Sequence, residues 1–320
     1  MTTLTHGVII IIKMGNEDLK IRQARRLKLL RFRRKVTDWG VSAGFLLPSF
    51  AGVMLFFFVP FAMLVKMSFQ KSATNSSFAG IENYSKVLSN DAFKEAAGNT
   101  LILSAIAVPL GVLISLLLAL ILNSKIPARS VFRSILLTPM MVPVASIVLM
   151  WQVFFSYNGV LNGWIYQLFG SERIDWFKDN SGQLVIVFLF LWKNLGLNII
   201  LFLSALNNIP QEVIESSVMD GAGAVKRFFS IRLFYLGPTV FFVAIMSLIN
   251  SFKIFREVYL LTGDYPYDKL YTLQHFMNNK FTHLDYSQLS TGAVIMCVVM
   301  AVIVGLLFIL ESRLDSGTEE

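Results

Sequence analysis

The spacing of charged residues limits how this chain can fold more than any other feature. Six stretches, at about 42–65, 98–123, 134–156, 184–206, 238–261 and 289–310, are apolar and nearly free of Asp, Glu, Lys and Arg. Each reaches the ~20 residues that an α-helix needs to cross a bilayer at 1.5 Å per residue. Lipid offers no hydrogen-bond partners, so spans of this length must satisfy their backbone internally, as helices do. The expected fold is an all-α membrane protein of six transmembrane helices. Composition agrees, with 55% hydrophobic residues, 15% charged residues and a mean hydropathy of +0.63, far from a soluble globular domain. Pro48 and Pro60 in the first run, and Pro139 and Pro143 in the third, remove backbone hydrogen bonds and are expected to kink their helices. No two spans repeat one another.

The net charge of +8 lies in one place: between Lys13 and Lys35 there are ten Lys or Arg and two acids, Glu17 and Asp18. A basic block ahead of the first span marks the inner face of the membrane and attracts lipid headgroups. Without interleaved aromatics it does not read as a nucleic-acid site. The short apolar run ending at Ile12 is too short to span and precedes the basic block, so it is a poor signal peptide, and Met14 is an alternative start. The organisation read from this pattern is a basic cytoplasmic segment at 1–40, a six-span domain at 41–313 and a cytoplasmic tail at 314–320. Alternation then puts 124–133 (Lys125, Arg129, Arg133) and 207–237 (Lys226, Arg227, Arg232) inside, with the loops 67–97, 157–183 and 262–288 outside.

Cys297 is the single cysteine and sits in an apolar run, which excludes an internal disulfide. His6, His275 and His283 are scattered and read as loop or surface histidines, with no metal-ligand spacing. Outside, 79–97 has the spacing of a short interfacial helix leading into span two. Trp164, Tyr166, Phe169, Trp176 and Phe177 in 157–181 fit either interfacial anchors or a docking surface for an external partner. Ionisable groups inside spans are costly and mark functional sites. Lys193 lies near the middle of span four, and Lys253, Arg256 and Glu257 lie in the second half of span five. Arg256 and Glu257 are expected near the outer interface. Lys193 and Lys253 either face a cavity or pair with a neighbouring span.

The segment 207–237 is the polar interruption that does not read as a loose connector. Pro210 suits a first helical turn and Glu212 the positive end of a helix. Residues 211–219 form a short helix, Gly221 and Gly223 around Ala222 allow a reversal, and a second short helix at about 224–230 presents Phe228 and Phe229. Glu215 and Asp220 make one end acidic, while Lys226 and Arg227 make the other limb basic. Such an element fits a groove on a soluble partner.

The pattern Glu215-x₄-Asp220-Gly221-Ala222-x₅-Phe228-x₂-Ile231-x-Leu233 resembles the EAA motif of bacterial ABC importer permeases, in their maltose/glycerol-phosphate (carbohydrate) branch. Phe45-Leu46-Leu47-Pro48, Gly80-Ile81-Glu82-Asn83-Tyr84, Asn99-Thr100, Pro139, Pro143 and Leu260-Leu261-Thr262-Gly263 also match, in order, over about residues 40–313. The chain departs from the pattern in two places. Ser216-Ser217 replace the usual Ala-Ala, and Phe234 stands where proline is usual, which should straighten the exit into span five.

The resemblance implies a type I ABC importer fold with 207–237 as a cytoplasmic coupling loop. Glu215, Ser216, Asp220, Gly221, Ala222, Gly223, Phe228 and Phe229 would contact an ATPase subunit. It implies a substrate pathway at Lys193, Asn194, Leu197, Asn250 and Lys253, with Trp192, Phe252 and Phe255 as nearby aromatics. Two lysines facing one cavity would favour an acidic oligosaccharide. The chain has no G-x-x-x-x-G-K-[ST], so ATP and Mg²⁺ are expected on a partner and no catalytic residue or cofactor on this chain. The implied partners are a second homologous permease, two ATPase subunits, an external substrate-binding protein, the carbohydrate and membrane lipid, all at a bacterial cytoplasmic membrane with both termini inside. The competing reading is an ion-coupled secondary sugar transporter, which would need a relay of intramembrane acids.

Overall fold

The computed structural model describes residues 42–72, 77–124, 127, 129–178 and 181–316. The basic segment 1–40 and residues 317–320 of the tail lie outside them. Among the described residues the chain is helical, apart from loops and one isolated antiparallel bridge between Gln70 and Phe78. Six helical stretches are long and apolar enough to cross a membrane: Ser42–Ser68, Asp91–Asn123, Val144–Phe169, Gly182–Asn207, Ala224–Thr262 and Tyr286–Arg313.

The first, α1 (Ser42–Ser68), contains a π-helical turn at Met54–Phe58. Pro60 follows at once, and a widened turn is one way a helix absorbs a residue with no N–H. Next come α2 (Glu82–Ser89) and α3 (Asp91–Asn123), separated by Asn90, whose side chain accepts the Phe93 N–H. The predicted interfacial helix 79–97 is thus cut by a cap, and its second half already belongs to span two.

Span three departs further from expectation. The predicted 134–156 is two helices, α4 (Arg129–Met141) and α5 (Val144–Phe155), broken at Val142 and Pro143. Pro143 is the N-cap of α5, whereas Pro139, Pro109 in α3 and Pro238 in span five lie inside unbroken helix. After α5 comes α6 (Val160–Phe169), pinned by buried Asn162. The Asn162 amide donates to Tyr157 and Ile174 carbonyls and accepts from Trp176 Nε1.

Span four, α7 (Gly182–Asn207), is unbroken and is walled in by apolar residues on both halves. Span five is again two helices. Residues 224–252 form α9, following α8 (Gln211–Met219), and α10 is Phe255–Thr262. The second limb of the 207–237 element is therefore not a separate short helix. It is the start of span five, continuous through a π turn at Phe228–Arg232. Phe234 lies on this helix, half exposed, where the chain runs on into span five without a break. The chain closes with α11 (Leu273–Thr282) and α12 (Tyr286–Ser316).

Three apolar clusters form the core between the helices. Leu103, Ile147, Trp151, Ile186, Phe190 and Val258 join α3, α5, α7 and α10. Leu116, Ile199, Phe202, Leu236 and Val243 join α3, α7 and α9. Phe93, Leu248, Phe252, Leu273 and Phe276 join α3, α9 and α11. Where lipid surrounds the bundle, close packing and interhelical hydrogen bonds replace the hydrophobic effect as the cohesive force. Accordingly, Ser104 bonds Ser251 at 2.8 Å and Asn198 bonds Ser247 at 3.1 Å, joining α3 and α7 to α9. Gly196 lets α4 come against α7, because a Cβ there would stand 2.3 Å from the Leu136 carbonyl oxygen.

Several of the short motifs in the sequence turn out to be struts. The Asn83 amide donates to the Ser68 and Gln70 carbonyls at 2.9 and 2.8 Å. The Asn99 amide donates to the Tyr271 carbonyl at 3.0 Å, and Thr100 Oγ1 accepts the Leu273 N–H at 2.9 Å. These bonds tie the loop before α11 to span two.

Candidate functional site: a polar hollow at the helix breaks and an exposed capped turn

The breaks in spans three and five lie beside the same hollow. A cavity of about 370 Å³ is lined by Met140, just before the break in span three, and by Lys253 and Ile254, which are the break in span five. Non-helical backbone at membrane depth is tolerated only where protein buries it or where it lines a polar cavity. The volume lies within the range of roughly 300–1,000 Å³ typical of ligand pockets. All five residues expected along a pathway, Lys193, Asn194, Leu197, Asn250 and Lys253, line this cavity.

Their polar groups are ordered. The Asn194 amide donates to the Phe190 carbonyl at 2.8 Å, and its oxygen accepts from Asn250 at 3.0 Å. Asn250 therefore keeps its carbonyl oxygen as an acceptor. Lys193 Nζ pairs with Glu257 Oε1, joining α7 to α10. Glu257 is 2% exposed. The expectation that Glu257 sits at an outer interface is thus corrected, while Arg256 beside it is exposed. The break at Lys253–Ile254 turns α10 so that Glu257 faces α7. Lys253 is exposed, caps α9, and has no ion-pair partner among the described residues. A cation at a helix C-terminus is favoured by the partial negative charge there.

The aromatics expected to line a pathway do not. Trp192 packs toward Trp151, Phe252 is buried among the α3, α9 and α11 residues, and Phe255 meets His275 edge to face at 4.7 Å. Phe190, Met140 and Met246 line the cavity instead. A larger groove of about 550 Å³, walled by Val108, Leu116, Leu248 and Leu307, contains no charged group and offers nothing to hold a polar cargo.

At the α8 end, Glu215, Ser216, Asp220, Gly221, Ala222 and Gly223 form one capped turn. The Gly221 N–H donates to Val218 O and the Ala222 N–H to Ser217 O, both at 3.0 Å. This is the double closure of a Schellman cap, and Gly221 has the positive φ of 73° that it requires. Gly223 has a negative φ and caps the start of α9, so only one of the two glycines uses its left-handed freedom. Glu215 is exposed and accepts from Gln211 at 3.1 Å. Phe228 and Phe229 meet edge to face at 5.0 Å; Phe228 is half-buried and Phe229 exposed. Around the turn Val218, Met219 and Val225 are also exposed, at 51%, 88% and 73%. The residue pattern offered no signal for these three beyond their being apolar in a polar segment.

At the opposite end His275 is fully buried rather than on the surface. Its Nδ1 accepts the Thr272 N–H at 3.2 Å, completing a capping box at the start of α11. Burial lowers its pKa to about 4, partly opposed by Asp264.

Apolar spans, a polar hollow at their breaks and one exposed capped turn define a membrane transport component built from helices. Comparison places it more closely. Residues 111–319 match the family described as binding-protein-dependent transport system inner membrane component, and the chain belongs to that family. It is 33% identical over 248 residues to the arabinooligosaccharides transport system permease protein AraP of Halalkalibacterium halodurans, covering 75% of each chain. It is 31% identical over 225 residues to the trehalose/maltose transport system permease protein MalF of Thermococcus litoralis, covering 69% of this chain and 76% of that one. Its fold matches a chain of a bacterial ABC transporter that imports the acidic polysaccharide alginate. The TM-score is 0.79 at 21% identity, over 88% of this chain and 99% of the other.

Proposed function

We propose that this chain is a membrane-spanning subunit of an ATP-driven importer for oligosaccharides. The exposed capped turn between spans four and five would face the cytoplasm and couple to an ATPase. The observation that carries the reading is this turn. A rigid, Schellman-closed corner presents the carboxylates of Glu215 and Asp220 among exposed Val218, Met219, Val225 and Phe229. An apolar rim of this kind at a helix corner is what a soluble partner's groove covers. The chain has no P-loop, so ATP and Mg²⁺ belong to that partner.

The cavity supports a polyhydroxylated cargo, with the amides of Asn194 and Asn250 and the ammonium groups of Lys193 and Lys253 along its lining. The named relatives carry arabinooligosaccharides, or trehalose and maltose. The alginate importer was crystallised with an alginate pentasaccharide-bound periplasmic protein. By analogy this chain works with an external binding protein, two ATPase subunits and a second permease, which supplies the other wall. Coupled ion transport is disfavoured, because Glu257 is the only acid lining the cavity and is already paired with Lys193.

The test is copurification with a P-loop ATPase from native membranes, followed by sugar-stimulated ATP hydrolysis in proteoliposomes. Glu215→Ala should keep the spans folded, weaken ATPase recovery and reduce stimulated hydrolysis at least tenfold. A chain that imports sugar with a proton gradient and no ATPase would overturn the reading.

A further inference from the structure

The cavity wall carries three charged side chains: two lysines, Lys193 and Lys253, and one acid, Glu257. They are not equivalent. Glu257 is almost wholly buried, so its carboxylate reaches Lys193 and not a cargo. The Lys193 side chain keeps 34% exposure and still offers N–H groups to a hydroxyl, but its charge is cancelled at contact distance. Lys253, on the helix break, has no acid within ion-pair distance among the described residues. The wall therefore presents one uncompensated positive charge, two lysines less one glutamate. Lys253 is exposed on the cavity wall, so its unpaired ammonium is the charge that an entering ion meets.

We propose that Glu257 sets the charge preference of this site. By neutralising Lys193 it holds the wall at one net positive charge, matched to a saccharide with a single carboxylate that meets Lys253. The inference rests on the cavity being the sugar site. It departs from the simpler expectation that both lysines read an acidic sugar, since only Lys253 is left to do so.

The test uses the complete permease–ATPase complex in nanodiscs and equilibrium dialysis of two matched probes. These are neutral xylotriose and aldotriouronic acid, which carries one carboxylate. The parent complex should bind the acid about tenfold more tightly, the scale of one charge-assisted hydrogen bond. Glu257→Gln frees Lys193 and should raise the acid-to-neutral ratio about tenfold further. Lys193→Gln/Glu257→Gln removes both charges of the pair and should return the ratio to the parent value. Lys253→Gln should bring it close to one. A merely structural pair would lower both affinities together and leave the ratio fixed, and that result in Glu257→Gln would overturn the assignment. Should Glu257→Gln fail to assemble, Lys193→Gln decides: it leaves Lys253 against Glu257 and should bring the ratio close to one, and an unchanged ratio there would overturn the assignment. A parent complex that binds neither probe would instead overturn the sugar-site reading and the Glu257 assignment with it.

Discussion

Spans four and five pass the same cavity and are built in opposite ways. Span four is one uninterrupted helix of 26 residues, buried along much of its length, and offers Lys193, Asn194 and Leu197 from a regular face. Span five breaks at Lys253 and Ile254, with no proline at the break, and turns its last eight residues, α10, so that Glu257 reaches back to span four. Span three breaks too, at Pro143, and its near end supplies Met140. The continuous helix is the reference frame, and the interrupted ones shape the hollow. The difference teaches that an interruption at membrane depth is a better pointer to a cargo site than polarity alone. Asn198 and Ser247 are equally polar, yet they are buried on each other and are not part of this cavity's lining.

The contrast can be broken most severely at the bond between the two spans. Lys193→Ala strands a buried carboxylate, and thermal unfolding in detergent should show a loss of roughly 3 kcal/mol, with Lys193→Gln/Glu257→Gln recovering most of it. A full loss in the double variant would mean that packing, not charge, joins the spans. Next is the regular face of span four. Gly196→Ala places a methyl against the Leu136 carbonyl, and forcing α4 away should cost about 2 kcal/mol by the same measurement. A third prediction concerns the end beyond α10.

His275 is held neutral, with a pKa of about 4 against an ordinary 6.5. A depressed pKa gives stability that is complete above 6.5 and is lost as pH falls through about 4. Acidifying from pH 7 to 5.5 should therefore cost about 1 kcal/mol. The slope should vanish in His275→Gln if this residue is its source. The smallest effect belongs to the turn. Ser216 is exposed and bonds only the Val213 carbonyl, so Ser216→Ala should change stability by less than about 0.5 kcal/mol.

Much of this was legible in the residues. Long uncharged runs located the spans because lipid admits little else. Asp220-Gly221 located the turn because only glycine takes the left-handed conformation freely. The five cavity residues were reached through resemblance, helped by the rarity of lysine within spans. What escaped was decided by tertiary placement. Nothing in Asn250-Ser251-Phe252-Lys253 marks a helix end, so counting along an unbroken span puts Glu257 at the interface. Trp192, Phe252 and Phe255 looked like sugar platforms because they neighbour polar residues in sequence, yet helical rotation points them at other helices. His275 is buried where Asn99 and Thr100 tie its loop to span two and Phe255 packs against its ring.

The helix from residue 224 to 252 begins at the exposed turn and ends at Lys253. Its 29 residues make a rod of about 43 Å at 1.5 Å per residue. Pivoted at one end, a tilt of only 5° carries the other roughly 4 Å, more than a hydrogen bond's length. The corner and the cavity wall are thus joined by one helix, whose yielding points are the π turn at Phe228–Arg232 and Pro238.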